Sequence, residues 1–326
     1  LRPRRRRTAA GPEGRRRVCG RGELEGLRGR PPRARARRHA RRRRAHPRAR
    51  HRTRTRRGGR MSAIDVELPD ENGTVWSVLV QDIDSGEVLL RHDPETVQDT
   101  ASVGKIFLLH RLLAEVDAGT RTLEERVTRR PVEAIEDSGL WYLLQASELS
   151  LYDVAALIGA VSDNAATNTL GRVIGIPTVQ EHTRTLGYTA SALDDIVRWP
   201  IPPGAPKTLS HANAAELVLF MSRLADGTDL SPASADTLRR WLGAGMDLSA
   251  FDLDPLAHWG FDRGVWLLNK TGTISRVRAE TGIVMSPTRR IAYAVLANWD
   301  RGADGRGPVL AAMRRIGEGI HAALAD

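Results

Sequence analysis

The sequence predicts an α+β fold: an antiparallel sheet built from both chain ends, flanked by helices, with a central all-helical subdomain. Three observations predict it. Strand-forming residues gather near residues 74–91 and again over 264–298, at opposite ends of the folded part. Helical periodicity and loop signals fill the interval between them. One helix in that interval is apolar on almost every side, which places it in the middle of the molecule.

The elements follow in order. Residues Thr74 to Val80 (TVWSVLV) and Glu87 to Arg91 flank the turn signal Asp84-Ser-Gly86 and predict a β-hairpin, stopped by Asp93-Pro94. The buried helix carries Ile106, Phe107, Leu108, Leu109, Leu112, Leu113 and Val116, with Asp99 and Thr100 as candidate caps and Asp117-Ala-Gly119 as its stop. Further helices are expected over Leu151–Ser162, Asn164–Ile174, Pro177–Leu186, Ser210–Ala225 behind a serine cap, and Pro232–Leu242. Residues Asp194–Pro206 hold four prolines and predict an irregular loop. Strands are expected at Gly264–Leu268, Ala279–Met285 and Arg290–Asn298, and an amphipathic helix over Pro308–Leu324 closes the chain.

Charge divides the chain into two materials. Residues 1–60 contain 26 Arg, no Lys and 3 Glu, a net of +23. The remainder keeps 24 of the chain's 50 basic residues against 36 of its 39 acidic ones, a net of −12. A dense like charge with few apolar residues cannot bury a core. Residues 1–60 are therefore expected to be a disordered or spurious extension ahead of Met61, and residues 61–326 one folded domain. Its α/β part covers about 61–98 and 263–326, and its helical part about 99–262. If the arginine tail belongs to the native protein, nucleic acid is its expected partner, with binding that falls steeply with salt. The single cysteine, Cys19, lies in the tail, so the domain is expected to use no disulfide or thiolate. No membrane span is visible, nor an apolar segment of secretory type, so a cytoplasmic location is the default, and a secreted one if the true start differs.

Three motifs occur in order: Ser102-Val-Gly-Lys105, Ser162-Asp-Asn164 and Lys270-Thr-Gly272. Each alone is ordinary, a turn, a cap or a strand end. Their contexts add weight, since they stand at the head of the buried helix, at a helix end and at the end of a strand of the C-terminal sheet. Lysine usage adds more. After residue 60 the chain has 21 Arg but only Lys105, Lys207 and Lys270, and two of these fall inside motifs. Arginine does not lose its proton in a protein, whereas a desolvated lysine does and can then act as a base. Lys105 is thus a candidate activator of Ser102, one helical turn away.

This ordered set resembles that of the class A β-lactamases and penicillin-binding proteins. The likeness extends over roughly residues 74–325, through Gly119, the segment Ser162 to Asn168, Ile174-Gly-Ile-Pro177, Leu186-Gly187 and the 60-residue spacing between the two serines. It implies a serine hydrolase that opens a β-lactam or a related amide or ester. Ser102 would be the nucleophile, Lys105 its base and Ser162 a proton relay to the leaving nitrogen. The backbone N–H groups of Ser102 and Thr273 would form the oxyanion hole. Asn164, Lys270, Thr271, Gly272 and Thr273 would bind substrate, with Arg276 or Arg278 assisting on its carboxylate. Trp141 would be either an aromatic gate or plain core. No cofactor or metal is implied, and a monomer acting on a small carboxylate-bearing molecule is expected.

The chain departs from the pattern in one place. Class A enzymes carry Glu-x-x-Leu-Asn in the loop after the second motif, and that glutamate activates the deacylating water. Residues Leu193 to Gly204 contain no glutamate, leaving Asp194 and Asp195 as candidate bases. Two outcomes stay open: hydrolysis of the acyl-enzyme, or a penicillin-recognising peptidase or esterase that deacylates slowly. A catalytically silent binder is a third class, expected to have lost Ser102, Lys105 or Lys270. A Ser-His-Asp triad would need His92, His110, His182, His211, His258 or His321 brought to Ser102.

Overall fold

The computed structural model describes residues 64–248 and 264–324; the expectation for residues 1–60, Cys19 included, lies outside them. Strands β1 (Val75–Asp82) and β2 (Val88–His92) form the predicted hairpin, whose turn is fixed by Ser85 N and Oγ donating to Asp82 Oδ1 at 2.8 and 2.9 Å. The short β3 (Gln98–Asp99) leads through a 3-10 turn, Ala101–Gly104, into α1 (Lys105–Asp117). Strands β4 (Arg126–Thr128) and β5 (Glu148–Ser150) pair with each other, and α2 (Leu151–Val161), α3 (Asn164–Ile174) and α4 (Ile176–Thr185) follow. Next, β6 (Ala192–Leu193) and β7 (Ser210–Ala212) close the neck of the proline-rich loop. Helices α5 (Ala214–Asp226) and α6 (Pro232–Gly243) complete the helical part. Strands β8 (Trp266–Ile274), β9 (Val277–Met285) and β10 (Arg290–Asn298) then return, and α7 (Arg306–Ala323) closes the described chain.

The antiparallel sheet has the order β2-β1-β10-β9-β8, so the first and last strands of the fold pair side by side. Alternation gives it two apolar faces. Leu268, Ala279, Ile283, Ala292 and Ala294 join the core shared with the helices, while Leu267, Val284, Tyr293 and Val295 pack with Val309, Met313, Ile316 and Ile320 of α7. Helix α1 runs through the first core with Ile106, Phe107, Leu108, Leu109, Leu112 and Leu113 all buried, and Phe107 meets Phe220 edge-on at 5.6 Å.

Three expectations need correcting. Residues Ser210–Ala212 are strand, and α5 starts at Ala214 behind Asn213, whose side chain accepts from Glu216 N at 2.8 Å. Ser210 is drawn out of the helix because β7 pairs with both β3 and β6. Neither Asp99 nor Thr100 caps α1: Asp99 pairs with Arg276, and the Thr100 hydroxyl lies 2.7 Å from Ser210 Oγ.

Candidate active site

Ser102 sits in the 3-10 turn and Lys105 opens α1, so the first motif spans a junction between two helix types. Ala101, just before the serine, has φ +48, a left-handed conformation that costs a non-glycine residue about 1–2 kcal/mol. Strand β8 passes so close that a Cβ on Gly272 would stand 2.0 Å from Thr100 O and 2.9 Å from Ser102 N. The third motif therefore requires its glycine for steric reasons, where β8 passes the turn that holds Ser102.

The second motif is the joint between α2 and α3. Ser162 ends α2 with φ 56 and ψ 33, and Asp163 caps α3 by accepting from Ala166 N at 2.8 Å. The other oxygen of Asp163 accepts from Leu140 N and Trp141 N at 2.6 and 2.7 Å. That grip requires Gly139, where a Cβ would stand 2.3 Å from the Asp163 carboxylate.

The joint presents the Ser162 hydroxyl between two amines. Lys105 Nζ donates to Ser162 O at 2.7 Å and Asn164 Oδ1 at 2.9 Å, and lies 3.3 Å from Ser162 Oγ. Lys270 Nζ donates to the same hydroxyl at 3.0 Å and to Thr271 O at 2.8 Å. Both lysines are buried. Burial, reinforced by the charge of Lys270, holds the Lys105 amine well below the usual lysine range. Lys270 is pushed down to about 7, mainly by burial, with Arg278 adding to the shift and Asp247 and Glu280 opposing it.

Residues 60–324 match the beta-lactamase enzyme family. The chain belongs to that family. It is accordingly an enzyme, a serine hydrolase with the β-lactamase fold. The fold likeness is seen in a beta-lactamase from Sphaerobacter thermophilus DSM 20745, with 24% identity, a TM-score of 0.68, and coverage of 78% of this chain and 93% of that one. A class A beta-lactamase from Mycobacterium abscessus matches at 20% identity and a TM-score of 0.65, covering 78% and 96%. PBP-A matches at 23% identity and a TM-score of 0.63, covering 76% and 91%.

Within this β-lactamase-family fold, several residues stand differently from expectation. Trp141 is fully buried, its Nε1 donates to Ala146 O at 2.8 Å and Arg129 lies over its ring, so it is core and not a gate. Arg276 is paired with Asp99. Arg278 instead reaches the third motif, because it is the cross-strand partner of Thr273 and donates to Thr273 Oγ1 and to Asp247. Behind it lies a network that the motifs did not signal: Asn269 Nδ2 and Tyr293 OH both donate to Glu280 Oε1, at 2.9 and 2.8 Å. Burial pushes the Glu280 carboxyl up to about 7.

The loop aspartates are also committed. Asp195 pairs with Arg198 and accepts from Ile196 N at 2.8 Å, and Asp194 accepts from His211 Nδ1 at 2.8 Å. Both candidate bases are thus engaged with partners in the loop or at its neck. Asn168, one turn beyond Asn164, holds the loop's backbone at Val197 in both directions, at 2.7 and 2.8 Å. Of the histidines weighed for a triad, His110 bonds with His182 at 2.9 Å and His211 with Asp194, while His258 lies outside the described residues. Among the described residues no cluster of three metal-ligating side chains occurs, and no helix is long and apolar enough to cross a membrane.

Proposed function

We propose that Ser102 is acylated by a β-lactam, or by a related amide or ester bearing a carboxylate, and that the acyl-enzyme is then hydrolysed. The observation that carries the reading is the Ser162 hydroxyl held between the amines of Lys105 and Lys270. An uncharged amine has two N–H groups and one lone pair. In Lys105 two pure acceptors, Ser162 O and Asn164 Oδ1, take the N–H groups, so the lone pair remains for a hydroxyl proton.

In this account Ser102 Oγ bonds to the carbonyl carbon as its proton passes to Lys105. The proton then travels through Ser162 to the leaving nitrogen as the C–N bond breaks. The N–H groups of Ser102 and Thr273 face the developing oxyanion. Lys270, Thr271 and Thr273 take the substrate carboxylate, with Arg278 behind Thr273.

A second reading, a penicillin-binding peptidase or esterase with a long-lived acyl-enzyme, is favoured by the loop in which Asp194 and Asp195 are already paired. Without a water-activating base, deacylation slows by about 10²–10⁴-fold. Stopped-flow mixing with a chromogenic cephalosporin separates the two. Sustained turnover supports hydrolysis, and a stoichiometric burst that stalls supports the second reading. Ser102→Ala should abolish either signal, and a wild type giving neither contradicts acyl transfer altogether.

A further inference from the structure

Behind the nucleophile turn lies a hydroxyl that acyl transfer does not use. Ser210 is fully buried at the start of β7, where the loop neck pairs with β3. Its Oγ donates to Ala101 O at 2.6 Å, accepts from Gly104 N at 3.1 Å and lies 2.7 Å from Thr100 Oγ1. A serine hydroxyl has one proton and two lone pairs. A carbonyl can only accept, so the Ser210 proton goes to Ala101 and Thr100 must be the donor in its own bond. The three bonds use the group completely, and Ser210 O accepts from Thr100 N at 3.0 Å besides.

These partners bracket Ser102 on both sides. Ala101, whose carbonyl Ser210 grips, is the residue held at φ +48, a conformation that persists only where its surroundings enforce it. Gly104 is fitted to the same hydroxyl, since a Cβ there would stand 2.3 Å from Ser210 Cβ. Gly272 closes the opposite side.

We propose that Ser210 is a positioning residue for Ser102, clamping residues 100–104 in the conformation that aims the nucleophile and tying that aim to the neck of the 194–209 loop. The inference rests on the acyl-transfer reading, and two separate readouts distinguish failure of one from failure of the other.

The first readout is the rate of Ser102 acylation by a β-lactam, followed by quenched-flow mass spectrometry, with phosphonylation by a fluorophosphonate as a second measure of the aim of the hydroxyl. Ser210→Ala is expected to slow it by about 10²-fold, the effect of a misplacement near 1 Å. Adding Ala101→Gly should recover about tenfold, because glycine adopts positive φ without strain. A role confined to stability would lower the melting temperature and leave the rate per folded molecule at the wild-type value. The second readout is a crystal structure of S210A, which needs no substrate and in which Ala101 is expected to leave the left-handed region. Either an unchanged rate or an unchanged Ala101 conformation overturns the proposal. If S210A does not fold, Thr100→Val removes one donor alone and should slow acylation by about tenfold. A wild type that never acylates refutes acyl transfer, and the S210A structure still decides the clamp.

Discussion

At the scale of single residues, the two lysines that converge on Ser162 are asked for opposite things. Lys105 must give up its charge to accept a proton, and Lys270 must keep one to hold an anion. Lys105→Arg tests the first demand, because a guanidinium keeps the charge and does not deprotonate. Acylation is expected to fall by about 10²–10⁴-fold in burst kinetics, and a wild-type burst would exclude Lys105 as the base. For Lys270, burial places the amine at about 7. Carboxylate binding is then present below that pH and lost as pH rises through it. The KM of a carboxylate substrate should rise on the alkaline side, and Lys270→Arg, charged throughout, should remove that rise. The motifs made Ser102, Lys105, Ser162 and Lys270 visible because their chemistry is tied to residue type. The choice between Arg276 and Arg278 was not visible. It depends on the β8–β9 register, which sets Arg278 opposite Thr273 and leaves Arg276 to Asp99. Trp141 was ambiguous for a similar reason, since the grip of Asp163 on the 140–141 backbone belongs to the segment in which the indole is buried.

At the scale of elements, α1 and β10 were legible as long runs, apolar on almost every side in the helix and rich in strand formers in β10. The strands β3, β6 and β7 were not, being two or three residues held by partners distant in sequence. Helix α1 carries a testable device of its own. His110 is buried against His182 of α4, and burial together with that neighbour lowers it to about 3. The unfolded chain takes up this proton below about pH 6.5, whereas the folded chain does not until about 3. Stability should therefore fall with pH across that window, by about 1.4 kcal/mol per unit from this residue. Denaturant titrations at stepped pH should show the slope, and His110→Gln should flatten it. An unchanged slope would place the acid sensitivity elsewhere. Gly272→Ala probes the contact between β8 and the nucleophile turn, where Thr100 O stands 2.0 Å from the added Cβ. The strand must shift, and acylation should fall about 10²-fold.

At the scale of the whole molecule, the candidate site lies on the seam between the two parts of the domain. Ser102, Lys105, Ser162 and Asn164 come from the helical part, and Lys270 to Thr273 from a strand of the sheet that both chain ends build. Order along the chain predicted that sheet, since strands at both ends with helices between leave few other ways to pair them. The behaviour of the loop was less legible: its missing glutamate was plain, but the pairing of Asp194 with His211 and Asp195 with Arg198 is tertiary. Acyl transfer requires that Ser102 be the group that becomes acylated. Quenching the enzyme with acid within milliseconds of mixing with excess penicillin, followed by peptide mapping, locates the acyl group. One added ligand mass is expected, on the peptide containing Ser102 and absent from Ser102→Ala. No adduct at any quench time, or an adduct on another residue, would contradict acylation of Ser102.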